Sequence, residues 1–186
     1  MTAVKRLISA WNTVTETLGI RVLPDHHIRP RHPDVETLRL PQYCQTQTWT
    51  CGTIAALMVV HYFTPSVPQA KVFALAGADH RLGTSVRKVV GTLRGCGIRV
   101  SQRDALGFAD IVDAIDRGRP ILMVVNTDDP DISHWVVCYG YGRRPNRIYL
   151  APNGLPFLSR KEYVWGMFKQ HLWTEPGSGL VCAGPK

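Results

Sequence analysis

Cys51-Gly52-Thr53-Ile54-Ala55-Ala56-Leu57-Met58-Val59-Val60-His61-Tyr62-Phe63 is the stretch on which the fold turns. From Gly52 to Phe63 it is apolar nearly all the way round a 3.6-residue period, and a helix apolar on every side is a buried one. Thr64-Pro65 closes it, because proline cannot continue a helix. Such a helix needs other elements to cover it.

On its C-terminal side two half-exposed helices follow, one from Pro68 to about Ala76 and one from Thr84-Ser85 to about Arg94, ended by Gly95-Cys96-Gly97. Ile98–Ser101 has the pattern of a short strand. Phe108, Ile111, Val112 and Ile115 recur at helical spacing up to Gly118. Pro120–Asn126, His134–Tyr141 and Arg147–Leu150 are strand-like runs rich in Val, Ile, Tyr and Leu. Asn153-Gly154 marks a hairpin turn, Leu155–Leu158 a returning strand, and Ser159-Arg160-Lys161-Glu162 a capping box that opens a last helix. Helices first and antiparallel strands afterwards imply an α+β fold with the helices on one side of the sheet.

On the N-terminal side, Val4, Leu7, Ile8, Trp11, Val14 and Leu18 form one stripe of an amphipathic helix over residues 1–20. Its polar face holds Thr, Ser and Asn rather than Lys and Arg, which suits packing against the domain better than a membrane surface. No apolar run follows Lys5 and Arg6, so no secretory signal is expected. Residues 21–42, broken by Pro24, Pro30, Pro33 and Pro41, are expected to be an extended arm. His26, His27 and His32 within it lack carboxylate or thiol partners at ligand spacing, so no metal is expected. The whole chain, residues 1–186, has the length of one domain, with a core over 43–175 and a tail over 176–186.

With 45% hydrophobic and 19% charged residues the composition is that of a soluble globular protein, and no apolar run reaches bilayer length. The net charge of +8 is scattered over the sequence without a nucleic-acid module signature. It reads as a solubilising surface, and nucleic acid is not an expected partner. Five cysteines, an odd number without paired spacings, exclude a complete disulfide framework and fit a reducing cytoplasm.

Three features carry chemistry: Gln45, then Cys51-Gly52 at the head of the buried helix, then His134 at the start of a strand. A thiol at a helix N-terminus faces unpaired N–H groups and the positive end of the dipole, which lower its pKa. A strand-end His facing it serves as base and then as acid for the leaving amine. Gln45 is placed to join the Cys51 N–H in holding a tetrahedral oxyanion. The expected reaction is acyl transfer through a Cys51 thioester on a peptide or amide substrate, without a cofactor.

Gln45-x5-Cys51-Gly52, the buried helix with Ala55, Met58 and Tyr62, and His134-Trp135-Val136-Val137-x-Tyr139-Gly140-Tyr141 resemble the papain-like cysteine peptidases that remove double-glycine leaders from bacteriocins. The resemblance runs from about Gln42 to Phe168. It implies a papain-like fold, a helical part with the nucleophile helix packed on an antiparallel sheet. It also implies a cysteine peptidase or amidase with Gln, Cys, His and Asp in those roles. Deamidase and transpeptidase chemistry share the acyl step. Here Ala151 stands where that Asp would be, and Asn153, on the same face of an extended strand, is the candidate to orient His134. The alternatives are that Asn153 merely forms the turn, and that the domain has lost turnover and only binds a peptide.

Overall fold

The computed structural model describes residues 20–22, 34–80, 83–127, 133–151, 153, 162–175 and 177–185. The helix expected over 1–20, apart from Ile20, the histidines at 26, 27 and 32, and the strand expected over Leu155–Leu158 lie outside them. The quoted segment is helix α1 (Cys51–Phe63), buried from Cys51 through Val60. Helices α2 (Gln69–Ala76) and α3 (Val86–Gly95) pack beside it, each burying one side. The Ser85 hydroxyl caps α3 by accepting from the Lys88 N–H at 3.4 Å. Gly77 ends α2 in the left-handed conformation at φ 48°, which costs glycine nothing.

The sheet is antiparallel. Strands β4 (Arg99–Arg103), β5 (Ile121–Asn126), β6 (Ser133–Arg143), β7 (Asn146–Ala151), β8 (Glu162–Val164) and β9 (Gly179–Ala183) lie in the order β4-β9-β5-β6-β7-β8. Strand β2 (Val35–Thr37) adds to β6. A separate pair joins β1 (Ile20–Val22) to β3 (Tyr43–Gln45). The closest approach is at Gly140, where a Cβ would lie 2.6 Å from Thr37 Cγ2 and 2.7 Å from Glu36 O. Only glycine lets β2 cross there.

Alternation along β6 builds two cores. Trp135, Val137 and Tyr139 face α1 together with Leu122, Tyr149 and Ala151. Val136, Cys138 and Tyr141 join Ile111 and Ile115 of helix α4 (Phe108–Asp116), and Phe168 and Trp173 beyond the short helix α5 (Trp165–Met167). The helices are therefore not all on one side: α4 covers the opposite face, because Ile111 and Ile115 form an apolar stripe that the second core buries.

Two expectations are corrected. Residues 179–183, expected to belong to a tail, form β9 inside the sheet, where Leu180 and Cys182 are buried by alternation. Glu162 does not begin a helix. It lies in β8, held to β7 by the ladder and by Arg147 Nη1 donating to its carboxylate at 2.6 Å, so tertiary pairing overrides the local capping signal. The arm also contributes more than an extended connection, since β1 and β2 both come from it.

Candidate active site

Strand β3 ends at Gln45, and the 3₁₀ turn Thr48–Thr50 then carries the chain into α1. Thr50 Oγ1 donates to Gln47 O at 2.8 Å and tightens the turn. Cys51 is therefore the first residue of α1, 7% exposed. Its sulfur meets the backbone of Trp135, Gly52 and Cys51 itself. These N–H groups favour the thiolate, as a helix start should. Burial acts the other way and wins, so the thiol is held above its usual range. The depressed pKa expected from the helix terminus alone is not what the site produces.

The contact with Trp135 brings the start of β6 onto the sulfur, and His134 is the preceding residue of that strand. His134 is 2% exposed and pairs across the ladder with Val125. Trp135 is held from the other side: its indole Nε1 donates to Thr84 O at 2.9 Å. Thr84 Oγ1 in turn lies 3.3 Å from Thr53 Oγ1 on α1. Gly52 fits under this lock, since a Cβ there would stand 2.8 Å from Thr84 Cβ and 2.9 Å from Trp135 Cδ1. The sequence marks Trp135 as part of a motif but carries no sign of this partnership with Thr84.

Gln45 arrives beside the same junction. Its backbone N–H donates to Asn153 O at 2.9 Å, while its side-chain Nε2 makes a long bond of 3.4 Å to Thr48 O. Gln45 Oε1 is buried and has no hydrogen-bond partner among the described residues. Asn153, at φ 55°, has the left-handed conformation that a turn asparagine adopts, yet its side chain is buried at 2% exposure. Its Nδ2 donates to Trp135 O at 2.7 Å and to Cys51 O at 3.2 Å. The bond expected between the Asn153 oxygen and the His134 ring is not made, because Oδ1 has no partner among the described residues. Ala151 is fully buried opposite Val137 and belongs to the apolar core.

His61, at the far end of α1, is satisfied structurally. Val67 O, 2.9 Å from Nε2, only accepts, so Nε2 carries the proton and Nδ1 accepts from Tyr43 Oη at 2.6 Å. Burial lowers its pKa and keeps this imidazole neutral. No disulfide joins any of the cysteines. Among the described residues no group of three His, Cys, Asp or Glu is placed to hold a metal ion, and no helix is long and apolar enough to cross a membrane. A crevice of about 330 Å³ runs between the start of α3 and the sheet, lined by Thr84, Val86, Val124, Trp135, Trp173 and Glu175 among others. Trp135 is thus both a wall of this crevice and a neighbour of the Cys51 sulfur.

No family model and no curated protein matches the sequence. Solved structures do. A double-glycine motif protease from an AMS/PCAT transporter, solved in complex with the leader peptide, is similar at TM-score 0.57 and 16% identity, over 79% of this chain and 93% of that one. The peptidase domain of Streptococcus ComA, a bifunctional ABC transporter of a quorum-sensing pathway, is similar at TM-score 0.60 and 19% identity, over 77% of this chain and 96% of that one. The corresponding domain of Streptococcus mutans ComA is similar at TM-score 0.50 and 16% identity, over 77% and 98%. A buried helix packed on an antiparallel sheet, at this coverage, gives the chain the papain-like fold of these peptidase domains.

Proposed function

We propose that this protein is a cysteine peptidase or amidase that acts on a peptide or protein amide, with Cys51 as nucleophile, His134 as base and Gln45 as oxyanion donor. The observation that carries the reading is that one side-chain amide, Asn153 Nδ2, bonds the backbone oxygens of both Cys51, at the head of α1, and Trp135, the residue after His134, at 3.2 and 2.7 Å. The similarity to a protease solved with a peptide bound supports a peptide substrate.

Burial holds the Cys51 thiol up, so its proton leaves as the substrate is attacked. The Cys51 Sγ–H proton passes to His134 while the C–S bond forms, and the carbonyl electrons move onto oxygen. The Cys51 N–H and Gln45 Nε2 hold that oxyanion. Collapse breaks the C–N bond, and His134 returns its proton to the leaving amine. A thioester on Cys51 remains for water or another acceptor to resolve.

Incubation with a peptide library, an acid quench and mass measurement of the intact chain test this. An acyl adduct on Cys51, absent in Cys51→Ala, is the expected result. Cleavage that persists in Cys51→Ala, or peptide binding in the wild type without adduct or cleavage, overturns it. The second outcome would indicate a domain that binds peptide without turnover.

A further inference from the structure

We infer that Asn153 is a clamp between the two halves of the site, fixing the spacing of Cys51 and His134 by tying α1 to β6, and is not a neutral substitute for a carboxylate. The inference rests on the reading of Cys51 and His134 as the reacting pair. Two carbonyl oxygens, Cys51 O and Trp135 O, receive hydrogen bonds from one Nδ2 at 3.2 and 2.7 Å. Carbonyls only accept, so the amide must present its NH₂ to them, and its orientation is determined. One bonded residue is the nucleophile itself, and the other follows His134.

The same residue ties down a third element, since its main-chain oxygen accepts from the N–H of Gln45 at 2.9 Å. Helix α1, strand β6 and strand β3, which between them carry Cys51, His134 and Gln45, all meet at this one position. Its left-handed φ of 55° is one that asparagine and glycine tolerate and most residues do not. Oδ1, the atom an orienting asparagine would offer to the imidazole, has no partner among the described residues. What the side chain does here it does as a donor.

An aspartate has the same shape and no N–H. Asn153→Asp sets a buried carboxylate against two carbonyl oxygens, and such a group makes a hydrogen bond to either one only when it is protonated. The clamp therefore predicts that the ratio of Asn153→Asp to wild-type kcat/KM rises as pH falls. Near pH 8 it should be lower by roughly tenfold, the size expected when buried acceptors lose their donor. A carboxylate that orients His134 and stabilises its imidazolium predicts the opposite, a ratio near or above one at neutral pH that drops on acidification. Cys51, His134 and Cys44 are the ionisable residues at or next to the bonded backbone positions, and the same ratio measured for Asn153→Gly, which has no titratable group at 153, gives the part of the pH dependence that comes from them.

The second variant is Asn153→Gly, which keeps the backbone conformation and removes both side-chain bonds. Its Cys51 alkylation curve should move to higher pH, because the Trp135 backbone no longer sits on the sulfur. Ile111→Val, a trim of the opposite core, should leave the curve where it is. A ratio for Asn153→Asp that is flat or rises with pH, or an unmoved curve in Asn153→Gly, overturns the clamp. If His134→Ala leaves the wild-type curve unchanged, it is the reading of the Cys51 and His134 pair that fails instead.

Discussion

Replacing Gly52 by alanine sets helix propensity against packing, and the structure says which wins. In an open helix the change stabilises by about 1 kcal/mol. Here the new methyl would stand 2.8 Å from Thr84 Cβ, 2.9 Å from Trp135 Cδ1 and 3.1 Å from Trp135 Nε1. Neither neighbour is free to retreat, since Trp135 is 7% and Thr84 5% exposed and the indole is bonded to Thr84 O at 2.9 Å. Overpacking a fitted site costs about 1–3 kcal/mol, and swinging the indole away strips Thr84 O of its donor for about 1–3 kcal/mol more. The cost exceeds the gain, and Gly52→Ala should be less stable than wild type by about 1–5 kcal/mol. With a urea m-value of roughly 2 kcal/mol/M, the midpoint should fall by roughly 0.5–2.5 M. Urea titration followed by tryptophan fluorescence measures it. A Gly52→Ala protein as stable as wild type or more so would refute the idea that Trp135 and Thr84 lock the head of α1.

Gln45→Ala should lower kcat/KM by roughly 10²–10³, the usual cost of one oxyanion donor, while iodoacetamide reacts with Cys51 as before, because Gln45 serves the oxyanion and not the thiolate. A matching loss in both assays would place Gln45 on the thiol instead. Cys138 is fully buried and its thiol is pushed up to about 12. Unfolding releases it to about 8.5, so its contribution to stability is complete below that pH and declines as pH rises toward 12, by up to about 1.4 kcal/mol per pH unit. Urea midpoints between pH 7 and 10 should therefore fall less steeply in Cys138→Ala than in wild type, and parallel slopes would count against it.

Helix α1 was legible because its run is apolar on all sides and long enough to exclude a strand. Strands β5, β6 and β7 are legible as runs rich in Val, Ile, Tyr and Leu between turn residues, although β6 extends over Ser133–Arg143, beyond the His134–Tyr141 run. The Gly179–Ala183 strand is not legible in the sequence: five residues behind a Pro-Gly-Ser step look like a fraying end, and only the register with β4 and β5 makes them a strand. At Glu162 a local capping signal lost to pairing with β7. In the site, Gln45, Cys51 and His134 were each marked by residue type and spacing. The roles of Trp135 and Asn153 were not, because their partners are backbone carbonyls far along the chain, which no local pattern encodes. Even the thiol's pKa needed the structure, since the helix terminus was visible in sequence and the burial that outweighs it was not.

The central claim, that His134 acts on Cys51, is tested most directly by the rate of Cys51 alkylation by iodoacetamide from pH 5 to 10 in wild type and His134→Ala, with the site of modification read by peptide mapping. An imidazole that takes the Cys51 proton makes the sulfur nucleophilic at a pH where the lone thiol is not, so its loss should move the curve to higher pH. Curves that superimpose would show that the two side chains do not meet, and would contradict the account.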